Sequence, residues 1–360
     1  MQESYEIPQS MKAISLFEIG KFEVIEKEIR ALKDDELLIK VAACGICGSD
    51  LPRIYELGTR VYPVVLGHEF SGTVVKAAKD EDQNLIGKNV AIFPLIPCRR
   101  CDMCLTGHYA QCRNYNYLGS RSDGGFAEYC IVPSKFHLVF SYNPKVSLED
   151  LSLVEPATVA QHALRVAGLS NGQSVLIVGA GSIGIIMARW AKLFGADIIT
   201  LVDVLDEKIQ FAQARGLDIY NSLKIDLAEM VNDKTNNKGF DIVIEGTGTS
   251  GGFKTAINSI RIFGSIALLG NPHKDTVIEL KDHSTILRKE IRLTGIWNSY
   301  YNEFPFNEWE YTVKCIDAGK LKVDDLVTHR SSLENLPELT RQIYQREITI
   351  CKAIYSADCS

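Results

Sequence analysis

The most constraining feature of the chain is a glycine-rich turn between an apolar run and a helical pattern. Residues 175–184 read VLIVGAGSIG and place Gly179, Gly181 and Gly184 in the spacing G-x-G-x-x-G. In such a context the first glycine permits a tight turn, the second lets backbone approach a pyrophosphate, and the third lets the helix pack on the strand. The helix N-terminus offers free N–H groups to phosphates. The segment therefore predicts a dinucleotide-binding unit.

The sequence after this turn extends the same pattern. From about Gly168, apolar strand-like runs such as DIITLVDV and FDIVIEG alternate with helical patterns, which predicts a parallel sheet covered by helices on both faces. The second strand ends in Asp203, nineteen residues after Gly184, close to where a ribose-binding acid is expected. A carboxylate there accepts hydrogen bonds from a 2′-hydroxyl and repels a 2′-phosphate, so NAD is favoured over NADP.

Three more residues complete the predicted cofactor contacts: Ser182, Ile183 and Lys208. The alternative interpretation of the whole segment is an ordinary glycine-rich turn followed by a surface aspartate. The agreement of strand, turn, helix and acid favours the cofactor site.

The rest of the chain has a different texture. Between Met11 and about residue 150, short β-type runs alternate with glycine, proline and charged turns, which indicates an all-β unit. The last sixty residues are mixed and are predicted to rejoin that unit. We therefore expect a loosely held extension at 1–10, a β-rich unit from 11–165 and 299–360, and an NAD-binding unit at 166–298. The predicted class is α/β plus β.

Four cysteines lie close together in the β-rich part. Cys98, Cys101, Cys104 and Cys112 form C-x2-C-x2-C-x7-C within a lobe at 95–115. Four thiolates can wrap one tetrahedral ion and leave no open position, so such a zinc site stabilises the lobe and does no chemistry. An iron–sulfur cluster and unrelated free thiols remain alternatives.

A second set of candidate ligands is dispersed along the chain. GICGSD contains Cys47, GHEFSG contains His68 and Glu69, and VEPATV contains Glu155. A lone histidine or glutamate is usually structural or solvated. Together they supply one thiolate, one imidazole and one or two carboxylates, which is three protein ligands with room for water or substrate. This combination is typical of a catalytic zinc site.

These motifs, in this order, resemble the zinc-containing medium-chain dehydrogenases, in particular the sorbitol and threonine dehydrogenase branch. The likeness runs from Met11 to near the C-terminus and includes the cysteine lobe, DGGFAEY and VGAGSIG. Within the branch, CGSDLPRI, YPVVLGHEFSG and GSRSDGGFAEY are most similar to the galactitol-1-phosphate 5-dehydrogenases. The resemblance implies a Rossmann-type doubly wound sheet, a GroES-like catalytic domain, two zinc ions per chain and NAD.

The resemblance also implies roles for individual residues. Cys47 and His68 become zinc ligands, and Glu69 or Glu155 either supplies the third ligand or holds the metal-bound water. Cys44 is three residues before the ligand cysteine, and we interpret it as a small buried residue, with a redox pair as the alternative.

Two neighbours of Cys47 are catalytic candidates. Ser49 is the candidate acceptor of the substrate's hydroxyl proton, although it also suits a helix N-cap, and Asp50 is the candidate to orient the ligand histidine. Many relatives carry a histidine five residues after the ligand cysteine as a proton relay, and this chain has Pro52. The relay must therefore end differently, through water held by Glu155.

The implied reaction is hydride transfer from a secondary hydroxyl to a nicotinamide, with zinc as the Lewis acid. The expected substrate is a polyol or a polyol phosphate, of the type that converts galactitol 1-phosphate to tagatose 6-phosphate. Sorbitol, another polyol and L-threonine are alternative substrates. A non-catalytic, zinc-stabilised NAD-binding protein is the alternative from a different class.

The residues that would bind the substrate are predicted from the fewest sequence features. Arg121, Trp297 and Asn298 are the candidates, with Arg53 and Tyr300 near them in the motifs. A surface position for the arginines and packing for the aromatic residues are the alternatives.

Charge and hydropathy exclude other partner classes. The net charge is −6, from 39 basic and 45 acidic residues, and no basic block stands out. We therefore expect no nucleic-acid or membrane partner. No apolar run is long enough to cross a bilayer and the N-terminus is polar, which favours the cytoplasm. The late segment EIRLTGIW resembles the dimer-forming edge of the family, so a homodimer or homotetramer is expected.

Overall fold

The computed structural model describes residues 5–302 and 306–359. Contacts divide the chain into two compact units, one formed by Met1–Pro156 with Tyr300–Ser360 and the other by Ala157–Ser299. No helix in the described ranges is long and apolar enough to cross a membrane.

The strands of the described residues are numbered in chain order. They are β1 (Ser10–Glu18), β2 (Lys21–Glu28), β3 (Leu37–Gly45), β4 (Val64–Val65), β5 (Glu69–Ala77), β6 (Asn89–Ile92), β7 (Leu95–Ile96), β8 (Asn116–Tyr117), β9 (Tyr129–Val132), β10 (Leu138–Phe140), β11 (Ser174–Val178), β12 (Ile198–Asp203), β13 (Ile219–Asn221), β14 (Phe240–Glu245), β15 (Ile260–Leu268), β16 (Arg292–Gly295), β17 (Val327–Ser331) and β18 (Lys352–Ser356).

The α-helices are numbered in the same way. They are α1 (Asp50–Pro52), α2 (Asp102–Leu105), α3 (Leu148–Ser152), α4 (Val154–Ala167), α5 (Ser182–Leu193), α6 (Asp206–Gln213), α7 (Leu227–Thr235), α8 (Ser250–Ser259), α9 (Leu280–Lys289), α10 (Glu308–Asp317) and α11 (Leu336–Tyr344). A π-helical turn, Arg53–Leu57, continues α1, and short 3-10 turns lie at Asp80–Leu85, Tyr109–Gln111, Lys135–His137, Asp324–Leu326 and Ala357–Cys359.

The first unit is built mainly from antiparallel β-structure, with one parallel pair, β17 and β18. Its main sheet has the order β10-β6-β5-β3-β18-β17, with β9 also paired to β3, and a second sheet has the order β2-β1-β4. The C-terminal strands β17 and β18 therefore join strands from the start of the chain, as the sequence predicted. One apolar core lies beneath these strands and includes Ile14, Ile39 and Phe70.

The second unit is a six-stranded parallel sheet in the order β13-β12-β11-β14-β15-β16. The strand order reverses beside β11, which makes the sheet doubly wound and confirms the predicted Rossmann-type fold. Every residue of β11 is buried, because a parallel strand in the middle of such a sheet is covered by helices on both faces.

The boundaries differ from the prediction in two places. The second unit begins at Ala157 and ends at Ser299, whereas the predicted range was 166–298. The difference arises because α4 precedes the strand–helix alternation on which the prediction depended. The expected loose extension at 1–10 is wrong from Tyr5 onward, since Tyr5 and Ile7 pack partly buried on Leu38 and Ser10 begins β1. Residues 1–4 lie outside the described residues.

Candidate active site

Cys47 lies in the turn between β3 and α1. Its backbone N–H donates to Oδ2 of Asp50 at 3.0 Å, which closes the turn. The sulfur of Cys47 lies 3.5 Å from the backbone nitrogen of Ser49 and 3.3 Å from the Ser49 hydroxyl, and both donate to it. These two donors fix the position of the sulfur at the start of α1.

His68 and Glu69 approach Cys47 through strand pairing. β3 and β5 are antiparallel, and Glu69 is paired with Gly45, two residues before the cysteine. One ligand atom from each of Cys47, His68 and Glu69 lies within 4.8 Å of the others. The structure thus brings together three of the four predicted ligands, and a thiolate, an imidazole and a carboxylate fit zinc with an open fourth position.

Asp50 lies behind His68, as expected for a residue that orients a ligand. Asp50 is fully buried, and its Oδ1 is 3.4 Å from Nδ1 of His68. Burial alone would lower the pKa of His68, but Asp50 and Cys47 outweigh it and raise that pKa well above its usual value. Because Nδ1 faces the carboxylate, the other ring nitrogen is the one available to a metal.

Lys352 is a buried residue of this site that sequence reasoning missed. It begins β18, which pairs with β3, and its ammonium forms an ion pair with Oε2 of Glu69 and donates to the carbonyl of Ile46 at 3.1 Å. Burial lowers the pKa of Lys352, but Glu69, Cys47 and Glu155 together outweigh this and raise it. A lysine inside the apolar run ICKAIY was the available signal.

Glu155 lies beside the ligand cluster, in the first turn of α4, and is not among the atoms within 4.8 Å of one another. Its Oε1 accepts a long hydrogen bond of 3.5 Å from the hydroxyl of Tyr117. Burial raises the pKa of Glu155 to about 7, an effect that His68 opposes and Glu69 reinforces. Tyr117 was also missed, and its ring lies edge-on to His68 with centroids 5.8 Å apart.

Arg53 contacts Ser49 and Asp50, the two residues whose side chains form hydrogen bonds with Cys47. Its Nη1 donates to the Ser49 hydroxyl at 2.8 Å and to Oδ1 of Asp50 at 3.2 Å. Ser49 occupies the N-cap position of α1, but its side chain makes no capping hydrogen bond. The hydroxyl of Ser49 is therefore held between Arg53 and the Cys47 sulfur.

Cys44 and Cys47 are not joined by a disulfide in this structure. Cys44 is fully buried, and both are free thiols. Burial raises the pKa of Cys44 well above its usual value, which disfavours the reactive thiolate form. This agrees with the interpretation as a small buried residue.

The four-cysteine lobe converges on a second centre. One sulfur from each of Cys98, Cys101, Cys104 and Cys112 lies within 4.8 Å of the others, and the Cys98–Cys104 and Cys101–Cys112 separations are both 3.9 Å. Zinc–sulfur bonds of about 2.3 Å in a tetrahedron place sulfur atoms about 3.8 Å apart. The lobe therefore fits a closed tetrahedral ion.

Local interactions prepare this lobe for a metal. A hydrogen bond from the backbone N–H of Arg113 is the main reason why the pKa of Cys101 falls to about 6. The Arg113 side chain also donates two hydrogen bonds to Asp102, at 2.8 and 2.7 Å. They connect the residue after Cys112 to the first residue of α2. The Cys101 thiolate is thus stabilised, whereas burial raises the pKa of Cys104 in the same lobe to about 12.

The glycine turn has the geometry that a dinucleotide requires. Gly179 has φ +107°, which side chains disfavour, and a Cβ on Gly184 would lie 2.1 Å from the carbonyl oxygen of Gly179. A Cβ on Gly181 would meet no atom within 4 Å, so the space beside it is open. Ser182 and Ile183 follow in the first turn of α5, whose N–H groups have no helical partner.

Asp203 ends β12 beside this turn. Its Oδ2 accepts from the backbone of Ala180 at 2.7 Å, and its Oδ1 accepts from Val204 at 2.7 Å and Leu205 at 3.1 Å. The carboxylate is thereby fixed next to the glycine turn with lone pairs left for ribose hydroxyls. Lys208 lies in α6, the next helix.

Among the described residues, no hydrogen bond or ion pair connects the predicted substrate residues to the ligand cluster. Arg121 donates to the carbonyl of Tyr115 at 2.6 Å and stacks on its ring. Trp297 is 55% exposed and Asn298 has φ +60°; both belong to the second unit. Their role in substrate binding stays a prediction.

Comparison with known families gives two matches. Residues 33–141 match the family described as alcohol dehydrogenase GroES-like domain. Residues 182–317 match the family described as zinc-binding dehydrogenase. Together they cover more than half of the chain and include the ligand residues, the cysteine lobe and the glycine-turn helix.

Individual relatives agree with these matches. The galactitol 1-phosphate 5-dehydrogenase of Escherichia coli (strain K12) is 35% identical over 335 residues, covering 92% of this chain and 96% of the relative. The sorbitol dehydrogenase of Bacillus subtilis (strain 168) is 30% identical over 348 residues, covering 95% and 96%.

Solved structures give the same result. The crystal structure of galactitol-1-phosphate dehydrogenase from Escherichia coli has a TM-score of 0.88 at 34% identity, covering 96% of this chain and 100% of that one. A zinc-binding dehydrogenase from Sinorhizobium meliloti 1021 bound to NADP has a TM-score of 0.86 at 28% identity, covering 97% and 100%.

Proposed function

The chain belongs to the zinc-dependent medium-chain alcohol dehydrogenase superfamily of oxidoreductases, and on this premise we propose that it oxidises a polyol phosphate with NAD. In the proposed reaction a secondary hydroxyl of a galactitol 1-phosphate-type substrate loses its proton and its carbon loses a hydride. The products are a ketone of the tagatose 6-phosphate type, NADH and one proton.

The observation that carries this proposal is the convergence of Cys47, His68 and Glu69. They come from two segments of the chain, and their ligand atoms lie within 4.8 Å of one another, with His68 and Glu69 buried and Cys47 partly buried. A set with one sulfur, one nitrogen and one oxygen ligand leaves a position for a substrate oxygen, unlike the four-sulfur lobe.

Each residue around the cluster has a distinct task. A zinc ion held there supplies a Lewis acid that lowers the pKa of a substrate hydroxyl. Asp50 fixes the ring of His68, and Lys352 compensates the buried charge of Glu69. Glu155 is the carboxyl beside the cluster that accepts the hydroxyl proton, with Tyr117 holding one of its oxygens.

We propose two zinc ions per chain, one in each cluster. The lobe ion would be held by Cys98, Cys101, Cys104 and Cys112 and would stabilise a segment with few long secondary-structure elements.

NAD as the cofactor is supported by Asp203. A fixed carboxylate at the end of β12 favours two free ribose hydroxyls and repels a 2′-phosphate. One similar structure binds NADP, so the preference has to be measured for this chain.

The phosphorylated substrate is supported by the 35% identity to a galactitol 1-phosphate 5-dehydrogenase. Sorbitol and L-threonine are the competing substrates, because a sorbitol dehydrogenase at 30% and an L-threonine 3-dehydrogenase at 30% share the family.

The direct test measures NADH and NADPH production with galactitol 1-phosphate, sorbitol and L-threonine at matched concentrations. We expect the highest kcat/KM with galactitol 1-phosphate and NAD. Preference for free sorbitol or threonine would refute the proposal of a phosphorylated substrate. Preference for NADP would refute the assignment of NAD as the cofactor.

Metal analysis separates an enzyme from a non-catalytic NAD-binding protein. We expect two zinc ions per chain, and one after Cys47→Ala with loss of turnover. Cys359→Ala, which removes an exposed cysteine, is the matched control and should keep both ions. If Cys47→Ala changes neither zinc content nor turnover, the catalytic zinc assignment is wrong.

We also propose that two copies pair through β16. This strand ends the order of the parallel sheet, and Ile296 donates to Leu268 of β15 at 2.9 Å, so the N–H of Leu293 points to the other side. Leu293 and, in the neighbouring helix α9, Leu280 and Leu287 are exposed apolar side chains. An unpaired strand edge flanked by exposed leucines is typical of a surface covered by another chain.

A further inference from the structure

Asn221 is a buried amide beside the carboxylate on which the proposed choice of cofactor depends. It ends β13, and strand pairing places it opposite Asp203, the last residue of β12. The backbone N–H of Ser222 also donates to the carbonyl of Asp203 at 3.0 Å. Asn221 therefore lies at the carboxyl edge of the parallel sheet, where doubly wound folds bind their ligands.

The side chain of Asn221 has one orientation. Its Nδ2 donates to the carbonyl of Val204 at 3.2 Å and to Oδ1 of Asp206 at 2.8 Å. Its Oδ1 accepts from the backbone N–H of Leu223 at 3.0 Å. The reverse orientation would turn Oδ1 towards two acceptors and Nδ2 towards a donor. The amide is therefore fixed with both of its N–H groups directed at the turn between β12 and α6.

One peptide unit of that turn connects Asn221 to Asp203. The carbonyl of Val204 accepts from Asn221 at one end of the unit. At the other end, the N–H of Leu205 donates to Oδ1 of Asp203 at 3.1 Å. A peptide bond is planar and almost always trans, so its C=O and N–H point in opposite directions and turn only together. A hydrogen bond that fixes the carbonyl therefore also aims the N–H at the carboxylate.

The same turn supplies a second donor to the Asp203 carboxylate. The N–H of Val204 donates to Oδ1 at 2.7 Å, and the N–H of Ala180 donates to Oδ2 at 2.7 Å. If the Val204–Leu205 peptide rotated, Oδ1 would lose the donor from Leu205 and the carboxylate would lose its fixed orientation. A carboxylate that can rotate discriminates less between a ribose hydroxyl and a phosphate, because each choice depends on lone pairs held at hydrogen-bonding distance.

We propose that Asn221 is a positioning residue for cofactor selection: by holding the carbonyl of Val204, it fixes the carboxylate of Asp203 in the orientation that favours NAD over NADP. The inference deepens the proposed function and rests on its assignment of NAD. Asn221 acts through the peptide unit and Asp203, so its effect on cofactor preference has to end when the Asp203 carboxylate is removed.

Amide hydrogen exchange tests the link in the protein without cofactor. The N–H of Leu205 is held by Asp203 and should exchange slowly in the wild type under native conditions. Asn221→Ala should speed its exchange about two- to tenfold, which is the effect of one net hydrogen bond. Asn221→Ser keeps one donor and should lie between the two proteins. Unchanged exchange of Leu205 in Asn221→Ala would overturn the proposal.

The matched control is Thr200→Val, which also removes one hydrogen bond between the segments of β12 and β13. Thr200 is buried in β12 and donates to Asp218, the residue before β13, at 2.8 Å. Asp218 keeps its ion pair with Lys234 in this variant. Because this contact lies at the amino end of the strand pair, Thr200→Val should lose stability without a change in Leu205 exchange or in cofactor preference.

Binding of the two reduced cofactors gives the second arm. Fluorescence titration with NADH and NADPH measures the ratio of their dissociation constants in the wild type, Asn221→Ala, Asp203→Ala and the double variant. We expect Asn221→Ala to lower the preference for NADH about two- to tenfold. The double variant should match Asp203→Ala, because an effect that passes through the carboxylate ends with it. An equal loss of preference with and without Asp203 would show that Asn221 acts independently and would overturn the proposal.

The outcomes separate this inference from the proposed function. A wild type that prefers NADPH refutes the assignment of NAD and the selection that Asn221 is proposed to support, while Leu205 exchange still decides whether Asn221 fixes the peptide. A wild type that prefers NADH, with Asn221→Ala preferring it as strongly, refutes the role of Asn221 and leaves the assignment of NAD in place.

Discussion

Two opposite charges, Lys352 and Glu69, lie together in the interior of the first unit. Lys352 is 3% exposed and Glu69 is 1% exposed, so water solvates neither. A buried pair of this kind adds little net stability compared with apolar residues, but removal of one partner leaves an uncompensated charge. Glu69 is also a candidate metal ligand, so zinc is an alternative source of compensation.

Lys352→Met is therefore expected to destabilise the metal-free protein by about 3–5 kcal/mol, because Glu69 is left buried and unpaired. Zinc should restore part of this loss, since a divalent ion compensates the same carboxylate. The measurement is the free energy of unfolding in urea, with chelator and with zinc.

The control is the double variant Lys352→Met/Glu69→Gln, which removes both charges and should be more stable than Lys352→Met alone without metal. If the two variants are equally stable in chelator, the loss of stability in Lys352→Met does not come from the unpaired charge of Glu69.

His137 offers a test of stability against pH. It is 2% exposed, its Nδ1 lies 2.9 Å from the carbonyl of Phe93, and burial lowers its pKa to about 4. A folded pKa below the unfolded value of about 6.5 means that its contribution is present above pH 6.5 and is lost as the pH falls towards 4. The full span corresponds to about 3 kcal/mol.

Unfolding free energies of the wild type and of His137→Gln, measured from pH 7 to pH 4, check this. The wild type should lose about 3 kcal/mol more than the variant across this range. Titrations shared by the two proteins cancel in the comparison. Parallel curves would show that His137 is protonated without cost.

Among individual residues, sequence analysis identified the site residues that belong to recognisable motifs. Cys47 and His68 stand in short glycine-rich segments and were predicted. Lys352 and Tyr117 have no such motif, and what places them is pairing of β18 with β3 and of β8 with β7. A buried lysine is costly without a partner, and the partner is known only once the strands are paired.

At the scale of the element, the turn between β11 and α5 makes two glycines separable by experiment. In Gly184→Ala, the new Cβ would lie 2.1 Å from the carbonyl oxygen of Gly179, so helix and strand must move apart. In Gly181→Ala, the new Cβ meets no atom within 4 Å, but it occupies the open space where a pyrophosphate would approach.

We therefore expect Gly184→Ala to lose both stability, by about 1–3 kcal/mol, and NAD binding. Gly181→Ala should keep its melting temperature and lose NAD affinity roughly tenfold or more. Calorimetry of unfolding and NADH fluorescence titration measure the two quantities, and each variant is the control for the other. If Gly181→Ala binds NADH as tightly as the wild type, the pyrophosphate does not lie there.

Element boundaries were predicted less well than element types. The alternation of strands and helices after Gly168 identified the parallel sheet, because buried parallel strands are continuous apolar runs. It could not identify most of α4 as part of the second unit, since the amphipathic pattern of a helix does not indicate the unit against which the helix packs. Tyr5 and Ile7 were missed for a similar reason: two apolar residues in a polar decapeptide show no period.

At the scale of the whole molecule, the return of the chain to its first unit could be predicted only in outline. The mixed pattern after residue 299 suggested that the segment rejoins the β-rich part, and β17 and β18 do so. Their order beside β3 depends on pairing between residues some 300 positions apart, Ile354 with Gly45 among them, which no local pattern encodes. That long-range pairing is also what delivers Lys352 to the active site.

Assembly is the remaining property at this scale, and it is testable through the edge of the parallel sheet. If two copies pair along β16, Leu293→Glu puts a carboxylate into the interface, where it loses solvation. A penalty of about 3 kcal/mol weakens dimerisation by more than 100-fold. Light scattering coupled to size-exclusion chromatography should then find a dimer for the wild type and a monomer for the variant at micromolar concentration.

Leu223→Glu is the matched control, because Leu223 is a 78% exposed leucine that follows β13, the strand at the opposite end of the same sheet. It should remain dimeric, since the same charge is added at an edge that the proposal leaves in water. A wild-type monomer would refute the dimer itself. If Leu293→Glu remains dimeric and Leu223→Glu is monomeric, the interface lies at β13 instead, because an added charge disrupts assembly only where it is desolvated.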